Sequence, residues 1–240
     1  HRLFRRQRQM CIRDRPFAGG FDGVDVTEAD PFNMSDRAIG DNSSPRNSYA
    51  HASVSRAIEM ITEPEMIEHK IAVMPGITNK TLTDKLIQVC EARGDSLAII
   101  DLPDVYKPPY QEKCNNFQER IEDASPRKMA TALRKRQINS SYACTYYPWV
   151  KASVSPGDEM GGPREVWLPP SVVALAAMSY TDAANKPWFA PAGFTRGGLN
   201  RSTIGLNVNG VTEQLLVKDR DILYEANINP IANFGTEGIV

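Results

Sequence analysis

Apolar residues recur at intervals of three and four from Tyr49 to Ile61, at Ala50, Val54, Ala57, Ile58 and Ile61, which predicts an amphipathic helix ended by Pro64. The period then changes. Ile71-Ala72-Val73-Met74 is a short apolar run, Pro75-Gly76 turns the chain, and Leu82, Leu86, Val89 and Cys90 mark a second helix that Arg93-Gly94 closes. Residues 96–101, SLAIID, form a continuous apolar run of the kind expected of a strand buried on both faces. Strand, helix and strand in this order predict a parallel pair joined by a right-handed crossover.

Beyond a proline-rich loop at 102–112, a helical stretch is expected within 115–138, interrupted at Pro126. SSYACTYYPWV, 140–150, reads as a strand rich in aromatic residues, KASVSPGDEMGGPR, 151–164, as a flexible loop, and Val166-Trp167-Leu168 as a return to the core. Pro169-Pro170-Ser171 starts a helix in which Val172, Val173, Leu175, Ala176 and Met178 lie close together, with alanines that permit close approach to a sheet. The pattern to residue 200 is α/β, with helices on both sides of a sheet. A different piece is expected from about residue 203: TIGLNVNGV as an extended segment, then a helix carrying Leu215, Leu216, Ile222 and Leu223 with Thr212 as N-cap. The pattern stops at Gly238-Ile239-Val240, which reads as a second unit cut short. The expected organisation is therefore 1–15 as a foreign segment, 16–202 as an α/β domain, and 203–240 as the beginning of a truncated α+β domain.

Composition alters this picture at one end. The 240 residues are 41% hydrophobic and 24% charged, as in a globular domain, with no run approaching the length of a membrane-spanning helix. The first fifteen, HRLFRRQRQMCIRDR, hold six arginines and one acid; they resemble translated sequencing-adapter sequence more than a basic nucleic-acid-binding arm. Without them 22 basic and 28 acidic residues remain, a net charge of −6, and no nucleic-acid footprint is left. Cysteines 11, 90, 114 and 144 share no short spacing and have no nearby histidine to complete a zinc site; Cys90 and Cys144 read as small core residues.

Candidate chemistry is sparse. Open α/β sheets bind ligands at the carboxyl edge of their parallel strands, where this chain offers PGITNKT, 75–81, and Asp101. Lys80-Thr81 resembles the end of a phosphate-binding loop, but only Gly76 precedes it and at the wrong interval. There is no Gly-x-Ser-x-Gly elbow. The histidines are 1, 51 and 69, so none follows Asp101 in the order an Asp-His-Ser triad requires. His51 and His69 read as surface or helix-end residues, and Glu119, Glu122 and Asp123 as a solvated helix face. Asp22, Asp25 and Asp30 lack the spacing of a calcium loop. No catalytic, cofactor or metal site is expected.

The most informative stretch is WFAPAGFTRGGL, 188–199, followed by EANINPIANF, 225–234. Trp188 and Phe189 are expected to bury their rings beside Pro191 and Gly193, while Arg196-Gly197-Gly198 turns the chain tightly and displays a planar cation. With YYPWV at 146–150, VWLPPSVVALA at 166–176 and PFAGGFDGVDV at 16–26, these segments resemble the contractile tail sheath proteins of tailed bacteriophages, in the same order along the chain.

That resemblance implies a structural subunit with a subtilisin-like first domain. Such subunits polymerise helically around a tail tube and contract to drive it through the bacterial envelope and eject the genome. The implied partners are other copies of the chain, the tail tube protein, and baseplate and tail terminator proteins, within a virion tail assembled in the host cytoplasm. Neither direct nucleic-acid binding nor membrane insertion is implied. Arg196 and Arg201 are the candidate lattice contacts. Two alternatives stay open: the sheath of a related injection device, and an α/β hydrolytic or nucleotide-binding enzyme whose site residues lie elsewhere. The enzyme predicts a concave polar pocket near Gly76 and Asp101; the sheath predicts that edge filled, with apolar patches elsewhere.

Overall fold

A computed structural model describes residues 49–103, 125–154, 164–186, 188–199 and 207–240. The glycine-rich loop at 16–26, the acidic cluster at 119–123, Cys11, Cys114 and Arg201 lie outside the described residues.

The β-α-β unit forms as its periodicity predicts. Helix α1 (Tyr49–Met60) precedes strand β1 (Ile71–Val73), helix α2 (Lys80–Arg93) and strand β2 (Leu97–Ile100), and β1 and β2 pair in parallel. The ends of α2 are chemically fixed. Asn79 Oδ1 accepts from the amides of Thr81 at 3.0 Å and Leu82 at 3.4 Å, and Gly94 closes the last turn at φ 70, where a side chain would strain the backbone.

Helix α3 (Pro126–Lys135) lies within the helical stretch expected at 115–138, of which 115–124 fall outside the described residues. Pro126 opens α3, because its missing N–H falls where no intrahelical partner exists. Ser125 caps that end by accepting from the Lys128 amide.

The run 140–150 is two strands rather than one, β3 (Ala143–Tyr147) and β4 (Val150–Val154), divided at the cis Tyr147–Pro148 peptide. Pro148 has no N–H to continue a ladder, so the chain leaves one sheet there and enters another. The expected loop at 151–164 is likewise corrected at both ends. Lys151 to Val154 belong to β4, and Arg164 opens β5 (Arg164–Leu168), its antiparallel partner.

Helix α4 (Pro170–Ala184) follows, then the one-turn α5 (Gly193–Arg196), strand β6 (Asn207–Val211), helix α6 (Val217–Glu225) and the short strand β7 (Asn229–Pro230). Helix α6 starts four residues later than the Thr212 cap predicts. Thr212 instead spends its amide and hydroxyl on the Trp149 carbonyl, and Asp219 accepts from the Leu216 amide to cap the shorter helix.

Two sheets result: a parallel one in the order β1-β2-β3-β7 and an antiparallel one in the order β5-β4-β6. Residues 207–240 enter both, through β6 and β7. Strand alternation sorts the helices onto the two faces of the parallel sheet. Ala98, Ile100 and Ala143 face α2 and pack with Leu82, Leu86 and Cys90; farther along the same face Tyr147 packs with Ala130 of α3 and Leu223 of α6. Tyr146, on the opposite face, packs with Val173 and Ala177 of α4. The buried stripe of α4 is Val173, Ala174, Ala177 and Thr181; of the five apolar positions grouped from the sequence, only Val173 is fully buried.

Candidate functional site

Asp101 stands just past the carboxyl end of β2, where the sequence directs a search for chemistry. It is 1% exposed, and its carboxylate is fully engaged. Oδ1 accepts from the Ser171 amide at 3.0 Å; Oδ2 accepts from the Gly76 amide at 2.8 Å and the Ser171 hydroxyl at 2.6 Å. The β1-α2 turn, the end of β2 and the first turn of α4 are thereby tied to one buried group. Burial pushes the Asp101 carboxyl up from its ordinary pKa, opposed by the hydrogen bonds from the Ser171 hydroxyl and from the Gly76 and Ser171 amides. The sequence pointed to Asp101 and Gly76 but not to Ser171, seventy residues away, whose only local signal is its place behind two prolines at a helix start.

The sheet order argues in the same direction. Ligand crevices in doubly wound sheets open where successive strands reverse direction across the sheet. Among the described residues, β1, β2, β3 and β7 follow one another without reversal. The remaining candidates at this edge are structural: Thr81 donates to Asn79, and Lys80 begins α2. His51 Nε2 lies 2.6 Å from Thr81 Oγ1, joining α1 to α2, and His69 Nδ1 lies 3.4 Å from the Ile67 carbonyl. Cys90 is fully buried and Cys144 half-buried, both as free thiols; burial raises Cys144 to about 11. No cluster of metal-ligating side chains occurs among the described residues.

The opposite character appears where α4, α5, α6 and the segment 229–240 meet. A groove of about 740 Å³ lies there, walled by Val173, Ala174, Ala177, Pro191, Val217 and Ile231 among others. A neighbouring cavity of about 380 Å³ shares Met178 and Pro191 with it and adds Phe189. Two of the motifs that carry the family resemblance, 188–199 and 225–234, thus supply much of one surface. Their aromatic residues are not core residues as expected. Trp188 is 77% exposed and Phe189 42%, and Ala190 and Pro191 after them are exposed as well. Phe194 and Phe234 meet edge to face at 5.2 Å, and Val217 and Tyr224 stand exposed on α6. Gly197 permits the tight α5 turn: a Cβ there would sit 2.8 Å from the Ala192 Cα.

Arg196 lies at the edge of this surface, its guanidinium carbon 4.6 Å from the Phe189 ring centroid. Its Nε is buried and without a hydrogen-bond partner. Arg220 stacks likewise on Phe234 at 4.9 Å. An apolar belt of this extent, rimmed by stacked arginines, has the composition of a protein contact surface.

Comparison with known proteins finds partial similarities. No family profile matches the chain. A stretch of 77 residues is 35% identical to the tail sheath protein of Vibrio phage KVP40; it amounts to 32% of this chain and 11% of that relative. Over that stretch the chain is a homologue of a phage tail sheath protein. Among solved structures, the anti-feeding prophage baseplate aligns over 80% of this chain and 41% of the other at 17% identity, with a TM-score of 0.47. The contracted helical sheath of the same prophage aligns over 80% and 42% at 18% identity, with a TM-score of 0.44.

Proposed function

We propose that the chain is part of a contractile sheath subunit, which polymerises helically around a tail tube and shortens to drive that tube through a bacterial envelope. The observation that carries this reading is the 35% identity to a tail sheath protein. Two structural features support it. The polar groups at the carboxyl edge of the sheet are buried and spent on one another, while the resemblance motifs build an exposed apolar surface of the kind assembly requires. The parallel sheet with helices on both faces also suits the protease-like first domain of the sheath family, and no histidine follows Asp101 to supply a triad base.

In this reading the work is mechanical, and the partners are other copies of the chain and a tube protein. Arg196, whose guanidinium stacks on the exposed Phe189 at the rim of this surface, is the first proposed contact with a neighbouring subunit. Arg201 is the second proposed contact. The test is to express the reading frame that carries this chain beside its tube protein and pellet the products at high speed. Wild type is expected in the pellet with the tube protein. Arg196→Glu is expected to stay in the supernatant with unchanged circular dichroism; pelleting as wild type removes Arg196 from the contact.

A further inference from the structure

We infer that the groove between α4, α5 and α6 receives the exposed Trp188-Phe189 pair of a second copy of this chain, an aromatic prong entering an apolar hole. The inference rests on the assembly reading and names the residues that make one of its contacts.

The prong is well defined. Trp188 and Phe189 have ring centroids 6.4 Å apart, and Arg196 braces Phe189 from behind. Trp188 is the most exposed aromatic side chain among the described residues and walls neither cavity of its own subunit. Ala174 and Ala177 of α4, Ala192 and Val217 are among the residues that line the hole, small side chains that leave room for an indole. Large aromatic groups entering preformed apolar pockets are the commonest source of strong contacts at protein interfaces.

Charge selects the same pairing. Lys186 lies beside the prong and Asp221 in the groove, and neither is ion-paired among the described residues. Docking brings the ammonium toward the carboxylate. The other groove cation, Arg220, is already engaged with Phe234. Because prong and hole are different patches, each copy can fill one neighbour and be filled by another, and the contact propagates without closing.

The test is sedimentation equilibrium of this chain and two variants, Trp188→Ala without a prong and Val217→Arg with an obstructed groove. Wild type is expected to self-associate. Each variant alone is expected to associate at least about thirtyfold more weakly. Mixed together they are expected to form a one-to-one dimer, since the intact groove of the first can take the intact prong of the second. The exposed single changes Lys186→Asp and Asp221→Lys guard against misfolding: each is expected to weaken association about fivefold, and the pair together to restore it.

A wild-type monomer at every concentration, or Trp188→Ala associating as wild type, overturns the pairing. Tubes that form normally from Trp188→Ala overturn it while leaving the sheath reading intact. Wild-type self-association that Trp188→Ala abolishes, from a reading frame that never forms tubes, keeps the pairing and removes the sheath.

Discussion

The two regions that could carry function use opposite physics. At the carboxyl edge of the parallel sheet one carboxylate serves three donors with almost no access to water. At the groove, large aromatic side chains stand in solvent, held by stacking against arginines. A buried, hydrogen-bonded polar cluster stabilises and positions the elements around it, and at 1% exposure this one offers a substrate almost no access. An exposed apolar surface costs solubility and is retained where something covers it. Chemistry is closed in the first region and contact is open in the second, which is the division expected of a building block.

The largest expected effect breaks the first region alone. Asp101→Ala leaves the Gly76 and Ser171 amides and the Ser171 hydroxyl buried without their acceptor, and should destabilise the fold by about 3 kcal/mol or more in urea titration. A loss below about 1 kcal/mol contradicts its role as the tie between β1, β2 and α4.

Trp188→Ala should do the reverse. Its ring is mostly in water, so unfolding should change by no more than about 0.5 kcal/mol, while self-association weakens by about 2 kcal/mol.

A pH series sharpens the polar side of the comparison. With the folded pKa of Asp101 raised, its contribution to stability is fully present below the unfolded value of about 3.9 and is lost as pH rises through the folded value. Wild type should therefore lose stability relative to Asp101→Asn across that window, with a constant difference above it. An unchanging difference over the whole range contradicts the raised pKa.

The smallest effect is expected at Arg134 and Glu225, which pair at 3.4 Å on the outer surfaces of α3 and α6. Arg134→Ala should cost less than about 0.5 kcal/mol by thermal unfolding, since solvent screens the pair.

Local chemistry made part of this legible in the sequence. The β1-α2-β2 unit could be read because its helix period, its strand composition and the Asn79 and Gly94 caps all lie within thirty residues. Pro126 was visible, and the Ser125 before it, which accepts from the Lys128 amide, makes it the first residue of α3. Strand β4 was hidden because Lys151 and Ser153 make it look like a loop, whereas their partners Trp167 and Glu165 lie across a hairpin. Ser171 and the exposure of Trp188 depend on contacts distant in sequence, which no local pattern encodes. The motif at 188–199 lies on an exposed apolar surface rather than in the core that its aromatic content first implied.

The sheath assignment is tested most directly by negative-stain electron microscopy of the reading frame that carries this chain, expressed beside its tube protein. Hollow tubes of uniform diameter are the predicted result. A persistent monodisperse monomer in the presence of the tube protein would contradict it.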